Sequence, residues 1–203
     1  MSTADTEIEV KFFVRDLTTI EHILQGLGAR CTAERVLEIN LRFDTSDGAL
    51  SRQSKALRLR KDANSVMTFK GPPQGDSEVN IRQEIEFQVS DFEAARRFLE
   101  ALGYHISIIY EKFRTTYTLN NLTIVLDEMP FGAFIEIEGP DSESIHQAAS
   151  SLFLDWQARS VSSYLALFQK LRSTRELAAD HLTFEELEGL EITPQDLGLR
   201  YAD

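Results

Sequence analysis

Cysteine is almost absent. Cys31 is the single one in 203 residues, so no disulfide forms within the chain, and a lone thiol suits a reducing compartment. Long apolar runs are missing as well: nothing approaches the ~20 consecutive apolar residues of a membrane span. The N-terminal "MSTADTEIEV" has no basic region followed by an apolar one, so no signal peptide is expected and the chain reads as cytoplasmic, with no membrane partner. Positive charge is scarce, 21 Lys and Arg against 33 Asp and Glu for a net charge of −12, the wrong sign for a general nucleic-acid binder. His22, His105, His146 and His181 show no ligand spacing. The stretch "GPPQG" lacks the G-x-x-x-x-G-K-[ST] pattern and joins strand to strand, so it is no phosphate-cradling loop. What remains is 42% apolar and 27% charged residues, the balance of an ordinary globular protein with enough chain for a sizeable core.

Periodicity then divides the chain. "EIEVKFFV" (7–14) alternates Glu7, Glu9 and Lys11 with Ile8, Val10 and Phe12, the signature of a strand with one buried face. Extended character recurs at 29–45, 55–61, 65–71, 80–89, 108–119, 122–129 and 132–139, with a hairpin turn at "DAN" (62–64) and a Gly/Pro loop at 71–77. Helical spacing appears at 16–28 and 91–103, each stopped by glycine, and at 141–154 and 160–172. Asp141 or Ser142 is placed to cap the third of these. Hairpin-like turns between strands favour an antiparallel sheet and an α+β class.

The polar faces of these strands repeat one arrangement. Arg58 and Arg60 lie opposite Leu57 and Leu59; Thr68 and Lys70 opposite Met67 and Phe69; Arg82, Glu84 and Glu86 opposite Ile81, Ile85 and Phe87. Lys112 and Arg114, Asp127, and Glu136 with Glu138 follow the same rule. For one strand, a solvated face of mixed charge is explanation enough. It weakens on repetition, because Glu-x-Glu and Arg-x-Arg place like charges ~7 Å apart on one strand with no local gain. Ligands of both signs resolve this. Arg58, Arg60, Lys70 and Arg114 suit phosphate oxygens, whereas Glu7, Glu9, Glu136, Glu138 and Asp127 suit a hard divalent cation, Mg²⁺ or Mn²⁺. A barrel with this face inward would bury charge at a cost that only pairing, water and ligands offset.

In order along the chain, "EIEVK", "LRLRK", "TFKG", "RQEIEF", "EKFRTTY", "LDEMPFGAFIEIEG" and "SSYLALF" resemble the motifs of the CYTH superfamily, the triphosphate tunnel metalloenzymes, over about residues 6–172. The resemblance implies a closed eight-stranded antiparallel β-barrel, a tunnel with a charged interior and helices packed outside. It implies metal binding by Glu7, Glu9, Asp127, Glu136 and Glu138, and triphosphate binding by Lys11, Arg58, Arg60, Lys70, Arg82, Lys112 and Arg114. Glu84 and Glu86 resemble tunnel-lining positions, and Lys11, Glu9 and Glu138 are the candidate catalytic set. Lys11 or a metal-bound hydroxide would assist deprotonation of the nucleophile.

The implied substrates are ATP, inorganic triphosphate or thiamine triphosphate. Hydrolysis is preferred, since it needs only water and no productive nucleoside pose; cyclisation of ATP to cyclic AMP and pyrophosphate is the alternative. A non-catalytic polyphosphate or nucleotide sensor would keep the basic set without needing the carboxylates, and both Glu-x-Glu pairs are present. Dimers are frequent among proteins with this resemblance, so a homodimer is compatible. Residues 173–203 fall outside it and hold −6 of the net charge, an acidic C-terminal tail whose interspersed apolar residues allow docking as a short helix.

Overall fold

The computed structural model describes residues 6–74 and 78–203. Its strands are β1 (Thr6–Val14), β2 (Arg30–Asp44), β3 (Ala56–Lys61), β4 (Ser65–Lys70), β5 (Asn80–Gln88), β6 (His105–Leu119), β7 (Leu122–Met129), β8 (Gly132–Glu138) and the two-residue β9 (Arg159–Ser160). The first eight pair antiparallel in the order β5-β4-β3-β2-β6-β7-β8-β1. β1 then returns to β5, with Glu7 opposite Arg82 and Glu9 opposite Asn80, so the eight strands close into a ring. Closure satisfies both edges, which an open sheet of this size would leave as rows of unpaired backbone groups.

The helices are α1 (Leu17–Gly26), α2 (Ala49–Arg52), α3 (Phe92–Ala101), α4 (Ser142–Ser151), α5 (Tyr164–Arg175) and α6 (Pro194–Leu197). Three begin at aspartate caps: Asp16 accepts from the amides of Thr18 and Thr19, Asp91 from Ala94 and Asp141 from Ser144. The helices cover the apolar face of much of the ring, while Ile85 and Phe87 of β5 stay exposed. Val10, Phe12, Ile124, Leu126, Ile135 and Ile137 pack with Ile20 and Leu24 of α1 and Ile145 of α4. Leu41, Phe43, Leu59 and Met67 pack with Leu99 of α3. Each fully buried side chain of this kind contributes ~1.5–3 kcal/mol relative to exposure.

One expectation changes. The helix expected over 160–172 begins at Tyr164, because the Ser163 hydroxyl caps it at 3.2 Å from the Ala166 amide, while Arg159 and Ser160 pair with Phe12 and Lys11 of β1. The segment after Arg175 is docked. Leu182 bonds to Ile109 and Glu111 of β6 at 2.9 Å each, Ala202 bonds to Phe13, and Tyr201 stacks on the Phe13 ring at 4.8 Å. The turn at 62–64 and the irregular 71–74 match expectation; residues 75–77 of that loop lie outside the described residues. Among the described residues no helix is long and apolar enough to cross a membrane.

Candidate active site

Strand alternation sends one face of each strand toward a common cavity of about 1350 Å³. Glu7, Glu9 and Lys11 reach it from β1, Arg58 and Arg60 from β3, and Lys70 from β4. Arg82, Glu84 and Glu86 come from β5, Lys112 and Arg114 from β6, and Glu136 and Glu138 from β8. Asp127 is the one candidate residue that does not line it.

The β1–β8 side is rich in carboxylates because register sets Glu9 opposite Glu138 and Lys11 opposite Glu136. Lys11, 3% exposed, sits 3.1 Å from Glu136 and 3.6 Å from Glu9. Burial alone would depress its ammonium, but the two carboxylates outweigh burial and hold it above its ordinary value. Glu136 in turn lies well below the carboxylate range: burial would raise it, and Lys11 and Arg114 overcome that. Glu7 behaves oppositely. Burial and the neighbouring Glu9 push it up to about 8, although both its oxygens lie 2.6 Å from the Lys70 ammonium. Glu138 is raised too, by burial and by Glu84 and Glu9. This side therefore carries more carboxyl groups than lysines. Its oxygen donors fit a hard divalent cation in chemistry. As the side chains lie, no three Asp, Glu, His or Cys groups among the described residues converge closely enough to hold one.

Asp127 occupies a different setting. It is 0% exposed, accepts from Arg114 at 2.6 and 2.5 Å and from Lys112 at 3.0 Å, and takes a 2.8 Å hydrogen bond from the Tyr164 hydroxyl. Arg114 also reaches Glu136 at 2.6 Å. The aspartate is thus committed to holding two cavity cations in place. Tyr164, at the first turn of α5, lies beneath both Lys11 and Lys112, whose ammonium groups stand 5.1 and 5.4 Å from its ring centre.

The far wall holds residues that alternation on β2 could have revealed: Glu38, Asn40 and Arg42 face inward between Leu37, Ile39, Leu41 and Phe43. Glu38 lies 3.5 Å from Lys112 and 3.9 Å from Arg114; burial would raise its carboxyl, and these cations bring it to about 2. Tyr110 of β6 meets Arg58 at 3.3 Å, and Arg58 continues to Thr68 at 3.1 Å. Arg60 pairs with Asp62 at 3.0 Å. Arg82 donates to the carbonyls of Gly71 and Ser54 at 2.7 and 2.5 Å. The lone Cys31 does not line the cavity, and its thiol is raised by burial and by Glu34.

A closed antiparallel ring with paired Glu-x-Glu strands and arginine strands on one cavity has a counterpart among known families. The CYTH domain matches residues 5–157. The chain belongs to the CYTH family. Tyr164, α5 and the acidic tail lie beyond that CYTH match. No protein of curated function matches the chain. A Vibrio parahaemolyticus protein provisionally named an adenylate cyclase is 21% identical, with a TM-score of 0.74 over 81% of this chain and 98% of its own. A Pyrococcus horikoshii protein is 28% identical, with a TM-score of 0.67 over 78% of this chain and 97% of its own. A Hippeastrum protein, named provisionally as an adenylyl cyclase and described as having a dominant triphosphatase activity, is 20% identical, with a TM-score of 0.61 over 80% and 95% of the two chains. The first and third likenesses establish shared fold alone.

Proposed function

We propose that this CYTH protein is a divalent-metal-dependent enzyme that binds a triphosphate inside its strand ring, a tunnel with a charged interior, and hydrolyses it. The supporting observation is convergence: eight Lys and Arg side chains from six strands line one cavity, together with the carboxylates of β1 and β8. Phosphoryl transfer rests on positioning and charge stabilisation, and this lining offers both. Glu7, Glu9 and Glu138 would hold the cation, Mg²⁺ or Mn²⁺, with Glu136 beside them. Bound there, the cation offsets phosphoryl charge and acidifies a coordinated water.

The chain's own groups then have separate tasks. Lys11 stays protonated at neutral pH, so it meets developing negative charge and does not act as the proton acceptor. Arg58, Arg60, Lys70, Arg82, Lys112 and Arg114 bind phosphate oxygens, the arginines by paired donors. Asp127 and Glu38 hold Lys112 and Arg114 at fixed positions, which lowers the reorganisation cost when substrate arrives.

Cyclisation of ATP is the second reading. The neutral lining of Ala33, Val36, Thr116, Thr123 and Val125 leaves a wall of the cavity against which an organic group would fit, and the Vibrio neighbour carries a cyclase name. Product analysis separates the two. Incubation with ATP and with inorganic triphosphate, in Mg²⁺ and in Mn²⁺, should release orthophosphate from wild type and little from Glu9→Gln. Cyclic AMP with pyrophosphate would replace hydrolysis by cyclisation. Equal inertness of both proteins with retained polyphosphate binding would leave a sensor.

A further inference from the structure

The cations of the cavity are unequally neutralised. Lys11, Lys70, Lys112 and Arg114 each have a carboxylate within 3.1 Å. Arg42 forms no ion pair among the described residues; its one hydrogen bond is from a terminal nitrogen to the Lys55 carbonyl at 3.3 Å. Its Nε is buried without a partner, as is the Nε of Arg58, the residue paired with it across β2 and β3. Asp44, two residues on, is committed to the amides and hydroxyl of the loop that follows it. Burial and the charges of Arg58 and Arg82 make the Arg42 guanidinium harder to keep charged than an exposed one.

Asn40 adds an independent observation. It is 0% exposed, on the same face of β2 as Arg42, and neither its amide nitrogen nor its carbonyl oxygen has a partner. Buried polar groups are nearly always bonded, and unpartnered ones call for an explanation. Here they share one face of β2 and β3 and are mostly donors; Arg42 and Arg58 line the cavity, whereas Asn40 is fully buried and does not. Ring order places β2: it is four strands from β1 in both directions, so it faces the Glu7 and Glu9 carboxylates across the cavity.

We propose that Arg42, with Arg58, forms a further phosphoryl-binding subsite that takes the end of the triphosphate farthest from the carboxylate wall. The proposal rests on the triphosphate reading above and specifies how the chain spans the cavity. Phosphoryl oxygens are repelled by the β1–β8 carboxylates and drawn to the unpaired donors of β2 and β3. A chain of three groups crosses between the walls, and a shorter one settles among the central cations without reaching Arg42.

Calorimetric titration of the full chain with orthophosphate, pyrophosphate and inorganic triphosphate, with chelator and with Mg²⁺, tests this. Arg42→Met should weaken triphosphate binding by about tenfold or more while changing the two shorter anions by less than about twofold. Arg42→Lys should fall between, keeping the charge and losing the fork, and it serves as the assay should the methionine variant misfold. Equal affinity of wild type and both variants for triphosphate overturns the subsite. Uniform weakening of all three anions with a lowered unfolding temperature overturns it too, since that is the mark of a loop clamp on Lys55. Wild type that binds none of the anions under either condition overturns the triphosphate reading itself, and the subsite falls with it.

Discussion

Asp44 closes β2 and accepts from the amides of Thr45, Leu50 and Ser51 and from the Ser51 hydroxyl, at 2.5 to 3.0 Å. Burial would raise its carboxyl, and these hydrogen bonds outweigh burial and bring it to about 2. The folded value is below the unfolded one near ~3.9, so its stabilisation is full above pH ~4 and is lost as pH falls toward ~2. Asp44→Asn should cost ~1–2 kcal/mol at pH 7, read from urea unfolding, with the gap to wild type narrowing below pH ~4. A gap independent of pH would mean that the loop does not use the carboxylate charge. The loop matters to the site because it carries Ser51, Ser54 and Lys55 to the cavity. Lys11 shows the opposite balance at the same scale: burial would lower its ammonium, and Glu136 and Glu9 outweigh burial and hold it above its ordinary value.

Among elements, β1 and β8 were legible from sequence because Glu-x-Glu repeats like charge with period two, and nothing local rewards that. β2 carries the same periodicity in Glu38, Asn40 and Arg42, but one negative, one neutral and one positive group look like any solvated strand face. Its significance appears only once pairing with β3 and β6 brings Arg58, Arg60 and Tyr110 alongside. Tyr164 was legible as part of a helix, whereas its bond to Asp127 depends on where α5 docks. The β7–β8 turn depends on Gly132, whose φ is +131 and whose added Cβ would lie 2.5 Å from the Phe13 ring. Phe13 is held between Phe134 and Tyr201 and has no room to retreat. Gly132→Ala should therefore destabilise by about 3 kcal/mol, lowering the unfolding temperature by roughly 6–12 °C in a calorimetric scan. A scan matching wild type would show that this turn adapts.

Over the whole molecule, the segment beyond the CYTH match packs into the fold. Leu182, Leu187 and Leu197 are almost fully buried with Phe168 and Leu171 of α5, and Tyr201 covers Phe13. No residue after Gln169 lines the cavity among the described residues, so the acidic side chains of the tail do not face the site. Leu182→Ala should cost ~2–5 kcal/mol, the range for a fully buried leucine, as a lowered midpoint in one cooperative urea transition. An unchanged midpoint would make the tail an appendage. The net charge of −12 also finds its place at this scale: the cavity lining is nearly balanced, nine Lys and Arg against eight Asp and Glu, so the excess acid lies outside it.

The sequence by itself determined which residues face inward, since alternation along a strand is set by backbone geometry, and with it the α+β class and the charged residue set. Tertiary structure alone decided how those charges are shared. The closing of β1 on β5, the docking of α5 over Asp127 and the opposition of β2 to β1 determine which cations are neutralised and which remain uncompensated. Charge pairing depends on distances between strands far apart in the chain, and no local pattern encodes those distances.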